Sequence, residues 1–495
     1  MNLKLAYRLV VLGLVIYVIG FVLYYPKVFA SMDASVYVNQ AWAYAQGKVT
    51  VSVKDALSDI ERQVLPGTYP AGTPLLQAPF VFFGGERYAV LASVMSLAIA
   101  ILILARWLRE EGRSPIYALL MLGYAPTLVM ARCELSDLPS AMLVTLGLWL
   151  FWRGQSRHWS YWLASGFVAG ASLLFRETNA LLFIPFFTGA LLRREKNAFI
   201  LVVGGLFGVI LRLLVTYLIF SDPFFLKNPG FGFSLGAVIQ NGPLYLFALL
   251  VMIPGGLIAA LLYQGPRRPE LIITVIVSLL FFLLYNYSGQ DSGGLKRMVN
   301  GPRYFIPLLP ILIMAYSEVL PRLWSKLTAH YSNRATTAIS MVAKVCITLW
   351  VGLVFLASFA VHPFMQRWAA SQLAMKQAIY ANTTENGVIV SDPDGKINKF
   401  VNRFYGMRLV VTQDDLKPED IPLVLKLHRH IQLVFINRSD SMYHLKQAIG
   451  NEEFVAAVNK YCRVKLIYDK AHSPTDRLKI WDIKALAQSV GNNDE

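Results

Sequence analysis

What most limits this chain is a succession of apolar runs, each near the length of a membrane span. They occupy residues 9–25, 88–105, 116–131, 138–152, 161–175, 180–192, 198–220, 244–263, 271–287, 305–316 and 335–361. A perpendicular helix needs about twenty apolar residues to cross a hydrocarbon layer of roughly 30 Å. The shorter runs must therefore extend into polar flanks or sit in a thinned bilayer. The pattern predicts a mainly α polytopic membrane protein of about eleven transmembrane helices. With 56% hydrophobic and 15% charged residues and a mean hydropathy of +0.48, the chain holds more apolar surface than a soluble domain of this length buries. The first run follows Lys4 and Arg8 as a signal sequence would, but its length predicts a retained anchor.

The charge pattern fixes an expected orientation. A net charge of +16 could point to nucleic acid, yet Lys and Arg stand in short clusters between apolar runs, not in one aromatic-laced stripe, so no nucleic-acid partner is expected. Cytoplasmic loops carry the basic excess. With the N-terminus inside, Arg106, Arg109 and Arg113, then Arg153 and Arg157, then Arg193, Arg194 and Lys196, then Arg267 and Arg268, and finally Arg322, Lys326 and Arg334 all fall on the cytoplasmic side. An odd number of spans leaves the tail outside. The expectation is an integral protein of the plasma (inner) membrane with a transmembrane domain over 1–363 and an extracytoplasmic α/β domain over 364–495. The first outer loop, 26–87, is too long for a bare connector. Its patterning suggests interfacial helices near 33–46 and 54–64. In the tail, β-rich runs at 388–391, 409–412, 433–437, 465–468 and 478–481 surround a helical stretch at 442–459, which predicts a small α/β fold. Cys133, Cys346 and Cys462 lie far apart without CxxC spacing, so neither a zinc site nor a disulfide framework is expected.

On this topology, the charges that interrupt apolar sequence gather at the outer ends of spans. They are Asp33; Arg132, Glu134 and Asp137; Arg176, Glu177 and Asn179; and Lys296, Arg297 and Arg303. Convergence on one face marks an outward-facing site. A transporter or flippase of a lipid-linked or anionic solute would instead need charges along a path through the membrane, and usually repeat symmetry between halves. An inactive relative whose tail binds envelope polymer is a third reading, left open by the single acid in the first loop.

Five segments carry a resemblance. They are Asp33-Ala34-Ser35-Val36-Tyr37 with Gly47; Tyr69-Pro70-Ala71-Gly72-Thr73-Pro74; Ser136-Asp137-Leu138-Pro139-Ser140; Arg176-Glu177-Thr178-Asn179; and Arg303-Tyr304-Phe305-Ile306-Pro307. In this order and spacing, over roughly residues 1–320, the chain resembles the membrane glycosyltransferases of the GT-C fold. The likeness is to the protein-mannosyltransferase and aminoarabinose-transferase-like branch, which uses polyprenyl-phosphate sugars. The resemblance implies sugar transfer from a polyprenyl-phosphate donor to a lipid, polysaccharide or protein acceptor, within membrane lipid. Many such relatives carry two adjacent acids in the first loop, whereas Asp33 stands between Met32 and Ala34. A divalent metal is therefore unsupported, and no cofactor is expected.

The residue types suit that chemistry independently. An acceptor hydroxyl needs a carboxylate to take its proton as the new bond forms, and Asp33 is the candidate catalytic base. The departing polyprenyl phosphate gathers negative charge that guanidinium and ammonium groups stabilise. Arg303, Lys296 and Arg297, with Arg132 and Arg176, are the donor-phosphate candidates. Tyr69, Glu134, Asp137, Glu177, Asn179 and Tyr304 are candidates for the substrate cavity. A single displacement would invert the anomeric centre, whereas Glu134 or Asp137 as a second carboxylate beside Asp33 would allow retention. Plainer roles also fit: Asp137 as a helix N-cap, Arg176 with Glu177 as an ion pair at a helix end, and 391–395 as an ordinary turn. Arg212, inside an apolar run, must snorkel outward or find a partner.

Overall fold

The computed structural model describes residues 3–29, 31–58, 60–226, 232–286, 294–330, 334–393, 396–401, 408–428, 430–439 and 442–486. It divides into two compact units: Met1–Tyr25 with Tyr69–Met365, and Pro26–Thr68 with Gln366–Glu495.

The first unit is helical. Among the described residues, five helices are long and apolar enough to cross a membrane: Leu3–Leu23, Glu86–Glu110, Ala198–Phe220, Leu235–Met252 and Arg297–Lys326. Two of the anticipated spans are broken by their own residues. The run 116–131 divides into a 3₁₀ turn Pro115–Leu119 and short helices Leu120–Gly123 and Ala125–Met130, with Tyr124 extended before Ala125-Pro126. The run 244–263 is interrupted at Ile253-Pro254-Gly255, where Gly255 adopts the left-handed φ of 67° that glycine tolerates. Helix Ser160–Ala171 and helix Ala198–Phe220 meet along a glycine seam. A Cβ on Gly166 would lie 2.0 Å from Leu201 O, and one on Gly204 would lie 2.2 Å from Leu163 O. Each helix carries a G-x-x-x-G spacing, Gly166/Gly170 and Gly204/Gly208, so the backbones approach where no side chain fits. Arg212 finds its partners beyond the end of its own helix. Its guanidinium donates to the carbonyls of Pro223 at 2.8 Å and Phe225 at 3.0 Å, closing the loop beyond its own helix.

The second unit is built on a five-stranded sheet. Its strands are β3 (Val388–Ser391), β4 (Leu409–Thr412), β5 (Ile431–Arg438), β6 (Cys462–Ala471) and β7 (Asp476–Ala485), in the order β4-β3-β5-β7-β6. β3, β4 and β5 are parallel, and β7 pairs antiparallel with β5 and β6. One face is covered by Ile421 and Val424 of helix Ile421–His428 and by Phe454, Val455 and Val458 of helix Met442–Val458. The other is covered by Met375 and Ile379 at the end of helix Arg334–Asn382, with Ile397, Phe400 and Val401. Burial on both faces explains why β3 and β5 read as continuous apolar runs.

Among its described residues, segment 26–68 carries one helix, Met32–Ala45, and a hairpin of β1 (Val51–Lys54) with β2 (Glu61–Val64). The second interfacial helix expected over 54–64 is thus replaced by the hairpin. Asp55 Oδ1 accepts from the amides of Leu57 and Ser58 at the turn, and Ser52 Oγ donates to Glu61 Oε2 at 2.6 Å across the strands. Local side-chain bonds of this kind outcompete a helix. Leu57 packs on the sheet's apolar face, and His428 Nε2 lies 3.1 Å from Ala56 O.

Candidate active site

Within the helical unit, three of the sequence motifs are brought together around the turn 131–136. Ser93 Oγ anchors that turn by donating to Cys133 O at 2.7 Å. Arg132, Glu134 and Asp137 are all buried, and Arg132 Nη2 donates to the carbonyl of Tyr24. Burial pushes the Cys133 thiol up. Glu134 and Asp137 act in the same direction, and Arg303 and Arg132 oppose it.

Asp137 is the first residue of helix Asp137–Ser156, not its N-cap; Ser136 holds the cap position and makes no side-chain cap bond. The Asp137 carboxylate instead faces Arg176, with Oδ1 at 3.0 Å from Nη1. That contact is an ion pair without the alignment of a hydrogen bond. Arg176 is extended (φ −159°, ψ 123°) and leads into the 3₁₀ turn Glu177–Asn179, from which helix Ala180–Leu192 starts. Glu177 points to an exposed position, so the sequence option of an Arg176–Glu177 pair gives way to Arg176–Asp137. Asn179 is buried; its Oδ1 accepts from Ser140 Oγ at 2.5 Å and its Nδ2 donates to Ser172 O at 3.1 Å.

Arg303 and Tyr304 lie on the 3₁₀ turn Pro302–Leu308, fixed by the Tyr124 hydroxyl, which donates to Pro302 O at 2.7 Å. The Tyr304 ring stacks on Phe282 with centroids 5.2 Å apart and meets Tyr285 edge-on at 6.0 Å. The guanidinium of Arg176 sits 5.3 Å from the Tyr304 centroid and that of Arg303 sits 5.4 Å from it. Two cations from distant parts of the sequence therefore share one ring. Arg297 donates to Gln240 O at 2.6 Å. The side chain of Lys296 lies outside the described residues.

Tyr69 is half-buried, and the segment following it enters helix Gly72–Gly84. Gly72 presses on the residues before Arg176: a Cβ there would lie 2.5 Å from the Phe175 ring and 2.8 Å from Leu174 O. Asp33 belongs to the other unit. It stands in the first turn of helix Met32–Ala45, where Ser31 Oγ accepts from Ala34 N at 3.1 Å, and it is half-buried. In the same unit, the polar groups beyond the carboxyl ends of the parallel strands bond one another. Gln413 Nε2 donates to Asn451 Oδ1 at 2.7 Å, and Asn451 Nδ2 donates to Asn437 Oδ1 at 2.8 Å. Ser140, Phe282, Tyr285 and Tyr124 had been given no role from sequence. Ser140 stands in the Ser136–Ser140 segment of the resemblance, and its spacing of three from Asp137 matches that between Arg176 and Asn179.

Residues 77–221 match the family described as dolichyl-phosphate-mannose-protein mannosyltransferase. The match contains Arg132, Glu134, Asp137, Arg176 and Asn179, but not Asp33, Tyr69 or Arg303. No curated protein matches the chain. Its structure is similar to that of ArnT from Cupriavidus metallidurans bound to undecaprenyl phosphate, with a TM-score of 0.62, 14% identity, and coverage of 96% of this chain and 98% of that one. The same protein in its apo state gives a TM-score of 0.60 at 14% identity, over 94% and 97%. The apo oligosaccharyltransferase of Archaeoglobus fulgidus gives 0.53 at 11% identity, over 99% of this chain and 75% of that one. The chain has the GT-C fold. The matched family and these neighbours are glycosyltransferases of the GT-C type, so the resemblance drawn from five short segments extends to the whole architecture. The GT-C likeness covers both units, including the β-sheet domain at the C-terminus.

Proposed function

We propose that the chain is an inverting glycosyltransferase that moves one sugar from a polyprenyl-phosphate donor to an acceptor hydroxyl on the extracytoplasmic side. The observation that carries this reading is the pair of guanidiniums, Arg176 and Arg303, held over the single ring of Tyr304, with Arg176 matched to the buried carboxylate of Asp137. Two guanidiniums converging on one ring suit a ligand that brings negative charge. The similar ArnT structure holds undecaprenyl phosphate, a ligand of that chemistry. As the bond from the anomeric carbon to the phosphate oxygen breaks, negative charge grows on the departing phosphate, and guanidiniums already in place stabilise it without reorganising.

Asp33 is assigned as the base that accepts the hydroxyl proton. Asp137, engaged with Arg176, is then a partner of the phosphate clamp and not a second carboxylate at the anomeric centre, which favours single displacement and inversion. The reading assigns no step to a metal ion. It keeps the N-terminus inside and residues 364–495 outside. The test is Asp33→Asn in the full-length membrane protein, assayed for sugar transfer from polyprenyl-phosphate donors and for undecaprenyl phosphate binding. Transfer is expected to fall by about 10²–10⁴, with binding retained. Full activity in that variant would remove the mechanism.

A further inference from the structure

The buried contacts between helix Asp137–Ser156 and the turn 176–179 come in two rungs. Asp137 and Ser140 are three residues apart, on the first turn of that helix. Arg176 and Asn179 are three apart, at either end of a 3₁₀ turn. Asp137 meets Arg176 at 3.0 Å, and Ser140 meets Asn179 at 2.5 Å. Asp137, Ser140 and Asn179 are at most 1% exposed. The Asn179 amide is used at both ends, since Nδ2 donates to Ser172 O, and Ser172 Oγ in turn donates to Ala169 O at 2.7 Å. Both polar atoms of the Asn179 side chain are thus engaged within the protein, beside the substrate role that its sequence position suggested.

The upper rung alone does not aim a guanidinium. An arginine has several rotatable bonds, and a single N···O contact fixes one distance while leaving the fork to swing. The backbone at Arg176 is extended, its amide donates to Ser172 O at 3.1 Å and its carbonyl accepts from the amide of Asn179 at 3.1 Å, so its direction depends on the turn that follows. The second rung locks that turn against the helix carrying Asp137. We propose that Ser140 and Asn179 are positioning residues that, through the paired rung beside Asp137–Arg176, hold the Arg176 guanidinium over Tyr304, where it meets the donor phosphate. This rests on the reading of Arg176 as a phosphate ligand. It makes the serine of the Ser136–Ser140 segment and the asparagine of the Arg176–Asn179 segment parts of one device.

The test is a double-mutant cycle on the full chain in detergent or nanodiscs, with undecaprenyl phosphate as the probe and thermal unfolding as the parallel readout. Ser140→Ala should weaken binding by about 3- to 10-fold, the effect of one lost buried hydrogen bond. In an Arg176→Gln background the same change should have no further effect on binding, because the residue acts through Arg176. Any loss of thermal stability should be equal in both backgrounds. Asn179→Asp, which keeps the acceptor for Ser140 but loses the donor to Ser172, should show the same dependence on Arg176. Equal losses of binding in both backgrounds, or no loss in the wild-type background, would overturn the proposal and leave the phosphate reading intact. If wild type binds no undecaprenyl phosphate, or Arg176→Gln binds as well as wild type, the functional reading itself fails and this inference goes with it.

Discussion

Helix Ala180–Leu192 has a cluster of charges at each end, and the two are wired differently. Beyond its C-terminus, Glu195, Arg193, Arg267 and Glu270 form a closed set. Arg193 donates to Glu270 Oε1 at 2.7 Å, Arg267 lies 3.4 Å from the same carboxylate, and Arg267 also bonds Glu195 at 2.5 Å. Gly189 leaves the room that Glu270 fills, since a Cβ there would lie 2.3 Å from Oε1. Two cations meet two anions there, and each charge has an opposite charge within reach. Before the N-terminus, Arg176 is matched to Asp137 while it shares the ring of Tyr304 with a second guanidinium, that of Arg303. At one end cations and anions alternate in a clamp; at the other two guanidiniums converge on one aromatic face. The sequence marks both clusters alike, as charges beside an apolar run.

This contrast can be broken by experiment. The largest effect should come from Arg303→Ala: turnover is expected to fall by about 10²–10³, with little change in the thermal midpoint, and equal loss of both would erase the distinction. Glu270→Gln should do the opposite. It leaves Arg193 and Arg267 without their shared buried anion and should cost about 3 kcal/mol of stability, read by thermal unfolding in detergent, while turnover at the permissive temperature persists. A smaller effect is expected at the exposed tail pair Asp469–Arg477, where Arg477 Nε donates to Asp469 Oδ1 at 2.5 Å. The bond from Arg477 holds the Asp469 carboxyl below its usual value of 3.8. A depressed folded-state value stabilises the fold above that usual value, and the contribution is lost as the pH falls through the lower one. Asp469→Asn should therefore lower neutral stability slightly and flatten the acid limb of unfolding below about pH 4 by the same small amount. An unaltered acid limb would show that this pair contributes nothing.

Much of the architecture was legible because it rests on short-range pattern. The tail's strands fall where apolar β-rich runs stood, and the run 442–459 became helix Met442–Val458. The hairpin at 51–64 was misread because two four-residue strands that pair with each other need no apolar face, and their turn is held by one aspartate. The run 116–131 reads as one span because hydropathy does not register a backbone break; Pro126 and Gly123, with Pro115 just before the run, are the available signal.

The site divides along the same line. By itself, the sequence determined that the chain enters a membrane, that its charges flank the apolar runs, and which residue types were present for phosphate and proton chemistry, because each is a property of neighbouring residues. Tertiary structure alone decided that Arg176 and Arg303 meet on Tyr304, that Asp137 answers Arg176, and that Ser140 answers Asn179. These partners lie tens to more than a hundred residues apart, and no local periodicity carries information across such a distance. Only the packing of helices, set by the steric fit of glycine seams and broken spans, chooses which charge faces which.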